Sequence, residues 1–181
     1  MAAALVRPDA YPHPVAQVES LLRQHRLFTG YGARDARVPE YLKAAGHFEF
    51  GPQRVPINLD EAGARRIADA WRAGDDAAGY AEMWNSVYSH LCSLEQDDDL
   101  AGRIELVRYE SLCHDARGTL RRILRFCELD AGYEALMDRL PELSPRAPDS
   151  SVLSPAGRDR VWDIAASTAT RLGYRRERLE S

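Results

Sequence analysis

Among the 24 basic residues of this 181-residue chain only one is a lysine, Lys43, so nearly all of the positive charge is arginine. Any mechanism that needs a lysine ammonium must use Lys43 or do without. Genomic base composition accounts for the bias, since alanine is heavily used too. Its chemical consequence is that arginine forks onto phosphate-like oxygens, where lysine acts as a point charge. Cysteine is also scarce. Cys92, Cys113 and Cys127 form an odd set without a C-x-x-C pair, which supports neither a zinc site nor a disulfide framework. A reducing, cytoplasmic setting fits that usage. No apolar stretch approaches the roughly 20 residues of a membrane span, and the run after Met1 is too short for a signal peptide. The net charge of −4 argues against bulk nucleic-acid binding but leaves room for a local anion site. Strands are few. Residues 3–7 and the run Ile104–Val107 read as strands, and two strands seldom make an independently stable sheet. Either the fold is mostly helical or the chain holds part of a larger sheet.

Helices are plentiful. The length and the 45% apolar content suit one domain over residues 1–181. Pro14 can open a helix whose apolar side is Val15, Val18, Leu21, Leu22 and Phe28, ending at Gly30-Tyr-Gly32. A short helix is expected around Tyr41 and Leu42. Residues 46–58 are irregular, broken by Gly51-Pro52 and Pro56. Asp60 can cap a helix over 61–73 with Ile67 and Trp71 inward. A long helix spans about 77–95, with Tyr80, Met83, Trp84, Val87, Tyr88, Leu91 and Leu94 as its buried stripe. Another is expected over 132–140, then a loop over 141–151. Ser154-Pro155 starts the last helix, which stops at Gly173.

The segment Arg103–Asp115 carries the most information. A short apolar run, Ile104-Glu-Leu-Val107, reads as a buried strand. Arg108-Tyr109-Glu110 follow as its exit, then a turn and a cap at Asp115. Leu120, Ile123, Leu124 and Cys127 repeat at amphipathic-helix spacing. In open α/β sheets ligands bind where strands deliver their carboxyl ends, and Tyr109 sits at such an end. An aromatic face there can stack on a base; an ordinary buried strand-end tyrosine would look the same.

Arg108-Tyr-Glu-Ser-Leu, the amphipathic helix and Phe126-Cys-Glu-Leu129, together with Trp84 and Leu172-Gly-Tyr174, resemble the sulfotransferase family over most of residues 14–174. That family transfers a sulfuryl group from 3′-phosphoadenosine 5′-phosphosulfate (PAPS), leaving the bisphosphate PAP, to a hydroxyl or amine acceptor. Its motifs include a Tyr-Glu-Asp-Leu-like strand end and a Phe-Leu-Gly-Leu-like turn. The resemblance implies an α/β, P-loop-type three-layer fold, here N-terminally truncated and mostly helical with few parallel strands. It implies Tyr109 against the donor adenine. The family's 3′-phosphate motif is an Arg-x-Pro strand end and then a serine early in a helix. Pro12-His13-Pro14 through Ser20 matches in frame, so Ser20 is the matching serine. Pro12 occupies the arginine's place, and Arg7 is the nearest arginine that an altered turn could bring in. Read on their own, Ser20 is a helix-surface serine and Arg7 a solvated arginine.

The family's lysine-bearing Gly/Ser/Thr-rich loop, which cradles the 5′-phosphosulfate, has no counterpart. Gly30-Tyr-Gly32 lacks the preceding strand and the lysine. Sulfuryl transfer, like phosphoryl transfer, relies on positioning and on stabilising spread-out negative charge. The chain alone is therefore expected to be inactive, whether as a fragment or as a relative that lost activity. No general base and no metal ligand is assigned. Two rival readings are a helical interaction module that reuses the fold, and another nucleotide-dependent transferase. The acceptor is an unidentified small molecule; an exposed sheet edge would invite a second copy of the chain. His47-Phe-Glu-Phe50-Gly51 interleaves polar and aromatic groups, as either a structural turn or an acceptor-pocket lining. Arg117, Arg121, Arg122 and Arg125 read as a solvated helix face, with a sulfated or phosphorylated partner as the alternative.

Overall fold

The computed structural model describes residues 10–100, 102–129, 133 and 152–176, and these fall into two compact units. A helical unit comprises residues 13–90 and those described from 152 on. A strand-bearing unit comprises the described residues up to Pro12 and those from Leu91 to Tyr133. The described residues are mostly helical. The expected strand over 3–7, the expected loop over 141–151 and all but Tyr133 of the expected helix over 132–140 lie outside them.

The helical unit starts with α1 (Pro14–Gly32), which has proline in its first turn, where the missing N–H costs nothing. Then come α2 (Arg37–Ala44) and α3 (Glu61–Arg72). Asp60 caps α3 by accepting from the Gly63 N–H at 2.7 Å. Helix α4 (Asp76–Leu94) follows, and Asp75 accepts from the Ala78 N–H at 3.0 Å. The last described helix is α7 (Pro155–Arg171), capped by Ser154 on the Gly157 N–H at 3.1 Å. Val15, Val18, Leu22, Ile67, Tyr80 and Val161 lead its buried core. Thr168 donates to Asn85 at 2.6 Å, which ties α7 to α4 inside that core. Gly79 lets α3 and α4 approach closely: a Cβ there would lie 2.3 Å from the Trp71 ring. In α2, Leu42 is buried, whereas Tyr41 faces solvent.

One charge pair lies inside this unit. Glu19 of α1 is only 1% exposed, and its carboxylate pairs with Arg158 of α7 at 2.6 Å.

The strand-bearing unit has two parallel strands, β1 (Ala10–Tyr11) and β2 (Val107–Arg108). Ala10 lies opposite Val107 and Tyr11 opposite Arg108. The ladder is shorter than the apolar run Ile104–Val107 suggests. Among the described residues it takes in only the end of that run, and residues 104–106 are half-buried ahead of it. A second difference follows directly. Tyr109–His114 forms a short helix, α5, where the residue pattern suggests a turn. Asp115 then caps α6 (Ala116–Phe126) through the Gly118 N–H at 2.8 Å. Arg117, Arg121, Arg122 and Arg125 are exposed. Arg122 pairs with Glu105 at 2.5 Å, and Arg121 lies 4.5 Å over the Tyr133 ring.

Helix α6 ends in a turn of a defined kind. The Leu129 N–H reaches the Leu124 carbonyl at 2.8 Å and the Glu128 N–H reaches Arg125 at 3.0 Å. This pattern requires a left-handed residue after the helix, usually glycine. Here it is Glu128, at φ 57°. Helix α7 ends in the same bond pattern, with Gly173 at φ 80° in that place. Glu128 is exposed, so Glu128→Gly removes backbone strain without removing packing. It is expected to stabilise the protein by about 0.5–1 kcal/mol, the left-handed penalty less the added freedom of the unfolded chain. A urea midpoint that falls would contradict this.

Candidate functional site

Parallel pairing sends both strands out of the ladder at the same edge, where the next residues are Pro12 and Tyr109. Arg108, with extended dihedrals (φ −72°, ψ 131°), turns the chain into α5, and Tyr109 is the first residue of that helix. Its side chain is half-buried. Tyr109 thus stands at a strand's carboxyl end, the place where open parallel sheets bind ligands. Behind it, Val107 is buried, and Thr119 of α6 donates to the Ser111 carbonyl at 3.2 Å. The helix pair that follows β2 is therefore fixed to itself.

Of the other residues expected to bind the donor, Arg7 lies outside the described residues. Ser20 is a half-buried residue on the second turn of α1. At that depth its backbone N–H is inside the helix ladder, beyond the free donors of the first turn. Ser20 belongs to the helical unit and Tyr109 to the strand-bearing unit. His13, in the stretch that aligns Ser20, is buried. It stacks on Trp162 with centroids 5.7 Å apart and meets Tyr174 edge-on at 5.1 Å.

The helical unit gathers a second set of groups that local patterns do not announce. Arg54 comes from the irregular segment before α3. Its guanidinium lies 4.3 Å over the Trp71 ring and 5.5 Å from the Tyr80 ring, and it pairs with Asp76. It also donates to the Tyr80 hydroxyl at 3.4 Å. The Tyr80 hydroxyl donates in turn to the Glu49 carbonyl at 2.9 Å. Burial pushes the Tyr80 pKa up to about 12, so this hydroxyl stays protonated and keeps donating. His25 of α1 packs edge-on against Tyr80, and its Nε2 lies 3.9 Å from the Asp76 carboxylate. Its Nδ1 is buried without a hydrogen-bond partner among the described residues. Burial first, and then the positive charge of Arg54, hold the His25 pKa below its ordinary value. The arrangement fastens the segment carrying Glu49 and Arg54 to α3 and α4.

That fastened segment also shapes a cavity of about 160 Å³, lined in part by Leu42, Lys43, His47, Phe48, Phe50 and Pro52. His47 stacks on Phe50 at 5.0 Å, and Phe50 stacks on Phe28 at 5.2 Å. The interleaved run His47–Phe50 is thus both a structural turn and a cavity wall.

Among the described residues, no group of three or more His, Cys, Asp or Glu side chains could hold a metal ion, and no helix is long and apolar enough to cross a membrane. No family model, curated protein or solved structure matches the chain.

Proposed function

We propose that this chain is a sulfotransferase-related domain of P-loop-type α/β ancestry that binds the adenine and 3′-phosphate side of PAPS or PAP without transferring the sulfuryl group. The observation that carries the reading is the parallel pairing of Ala10–Tyr11 with Val107–Arg108, with Tyr109 immediately past the second strand. A sheet built this way opens its carboxyl edge to a nucleotide, and a half-buried aromatic there keeps ring surface for a base. The turn at Glu128 adds support. Its left-handed backbone falls where the related motif, Phe-Leu-Gly-Leu, carries glycine.

In this reading Tyr109 faces the adenine; the resemblance alone assigns Ser20 and Arg7 to the 3′-phosphate. When bound, the donor would supply an activated sulfuryl group to a hydroxyl or amine acceptor. The chain's one lysine, Lys43, lies on α2 rather than after a strand in a glycine-rich loop. Donor binding without turnover is the activity this favours.

Calorimetric titration with PAP tests it. Saturable binding is expected, weakened roughly tenfold or more in Tyr109→Ala, because stacking on a base is worth about 1–3 kcal/mol. Labelled PAPS with alcohol, phenol and amine acceptors should give no turnover above background. Absence of saturable PAP binding would overturn the reading and leave the helical interaction module.

A further inference from the structure

We infer that the cavity between α2 and the segment 47–53 binds a small single-ring aromatic anion, such as an aromatic carboxylate, with Lys43 as its charge partner. The inference concerns the helical unit alone and does not rest on the donor reading.

Size comes first. The cavity measures about 160 Å³, close to the roughly 150 Å³ apolar cavity known to admit one benzene ring. A single ring therefore fits and a fused nucleobase with its sugar does not. The walls suit a ring as well. Leu42 and Phe50 are buried and apolar, and Pro52 lines the same space. Phe50 is held on both faces, by His47 at 5.0 Å and by Phe28 at 5.2 Å, so that wall is pre-formed rather than assembled on binding. Phe48 also lines the cavity and is 49% exposed. It offers aromatic surface that a ligand ring can cover.

Charge decides the rest. Lys43 lines the cavity and has no ion-pair partner among the described residues. Two acidic residues adjoin the lining residues in sequence: Glu49 is engaged by His47 Nδ1 at 3.2 Å, and Glu40, one turn before Lys43 on α2, is exposed and forms no ion pair with it among the described residues. A ligand that carries an anion on its ring satisfies the ammonium and the apolar walls together. A neutral ring satisfies only the walls, and a cationic ring meets like charge. The fixed segment matters here, since Arg54 and Tyr80 hold it in place from the other side.

The test uses the full chain and three probes of one shape: benzoate, benzyl alcohol and benzylamine. Calorimetry and saturation-transfer NMR are expected to rank them in that order, with benzoate shifting the His47 ring protons. Lys43→Met removes the charge of an exposed residue and keeps an unbranched side chain. It should weaken benzoate about tenfold or more, the worth of a charge-assisted bond, and leave benzyl alcohol unchanged. Phe48→Ala should weaken both. Benzoate that fails to bind saturably, that binds no better than benzylamine, or that binds Lys43→Met as well as the parent would overturn the inference.

Discussion

Arg158→Ala is expected to destabilise the helical unit by about 3 kcal/mol or more, the range for removing one partner of a buried ion pair. The Glu19 side chain is 1% exposed and that of Arg158 11%, with the charged atoms 2.6 Å apart. Taking both groups out of water is costly, and their attraction in the interior offsets that cost only while both are present. The truncated variant keeps the buried carboxylate and loses the guanidinium facing it. It also loses the largely buried aliphatic stem of Arg158. A paired change separates these effects. Glu19→Leu with Arg158→Met replaces the ions by apolar groups of similar volume, and stability should return to within about 1 kcal/mol of the parent or exceed it. Urea unfolding followed by far-ultraviolet circular dichroism reads all three proteins. A loss below about 1 kcal/mol for Arg158→Ala would mean that the pair behaves as a surface bridge.

Neither charge of this pair was singled out in the sequence, although each interrupts an apolar stripe. Val15, Val18, Glu19 and Leu22 stand at i, i+3, i+4 and i+7, so Glu19 occupies a stripe position that apolar residues normally fill. Arg158, Val161, Trp162 and Ala165 repeat the same spacing on α7. Each charge is locally anomalous, and only the packing of two helices distant in sequence makes them one feature. Helix starts were the most readable elements. Asp60, Asp115 and Ser154 each cap the helix expected after them, because capping is a contact within a few residues. Helix α5 was not readable: at six residues it is too short for periodicity to register. The strand end at Tyr109 was visible in Ile104–Val107, but the ladder length depends on a partner nearly a hundred residues away, and a local run carries no information about it. Arg54 was the hardest residue to foresee. It sits in an irregular segment, and its partners Asp76 and Tyr80 are 22 and 26 residues further on.

Arg54→Ala should loosen the segment before α3 and raise the titration point of His25 in the same experiment. The guanidinium is 12% exposed and stacks over Trp71, worth about 0.5–2 kcal/mol. Its bond to Asp76 adds about 1.5–3 kcal/mol for a charged partner, discounted because Asp76 is 35% exposed. A net loss of about 2–3 kcal/mol is expected. Arg54→Lys should recover only part of it, since an ammonium keeps the charge but not the planar stack. The histidine supplies a readout that a merely structural role would not move. Burial, Arg54 and Arg26 lower the His25 pKa, and Asp76 raises it. Without Arg54, one lowering cause disappears and Asp76 is left to His25. Its ring protons should then titrate closer to the ordinary 6.5. The sign for stability follows from linkage. In the parent the folded value lies below the unfolded one, so the unfolded chain binds more protons in that window. Stability present above 6.5 is lost as pH falls through the folded value. In Arg54→Ala that acid-side loss should shrink, even though the protein is weaker at neutral pH. Thermal unfolding from about pH 8 to about pH 5, with the His25 resonance followed by NMR, checks both. Unchanged unfolding together with an unmoved His25 titration would show that Arg54 does not anchor this segment.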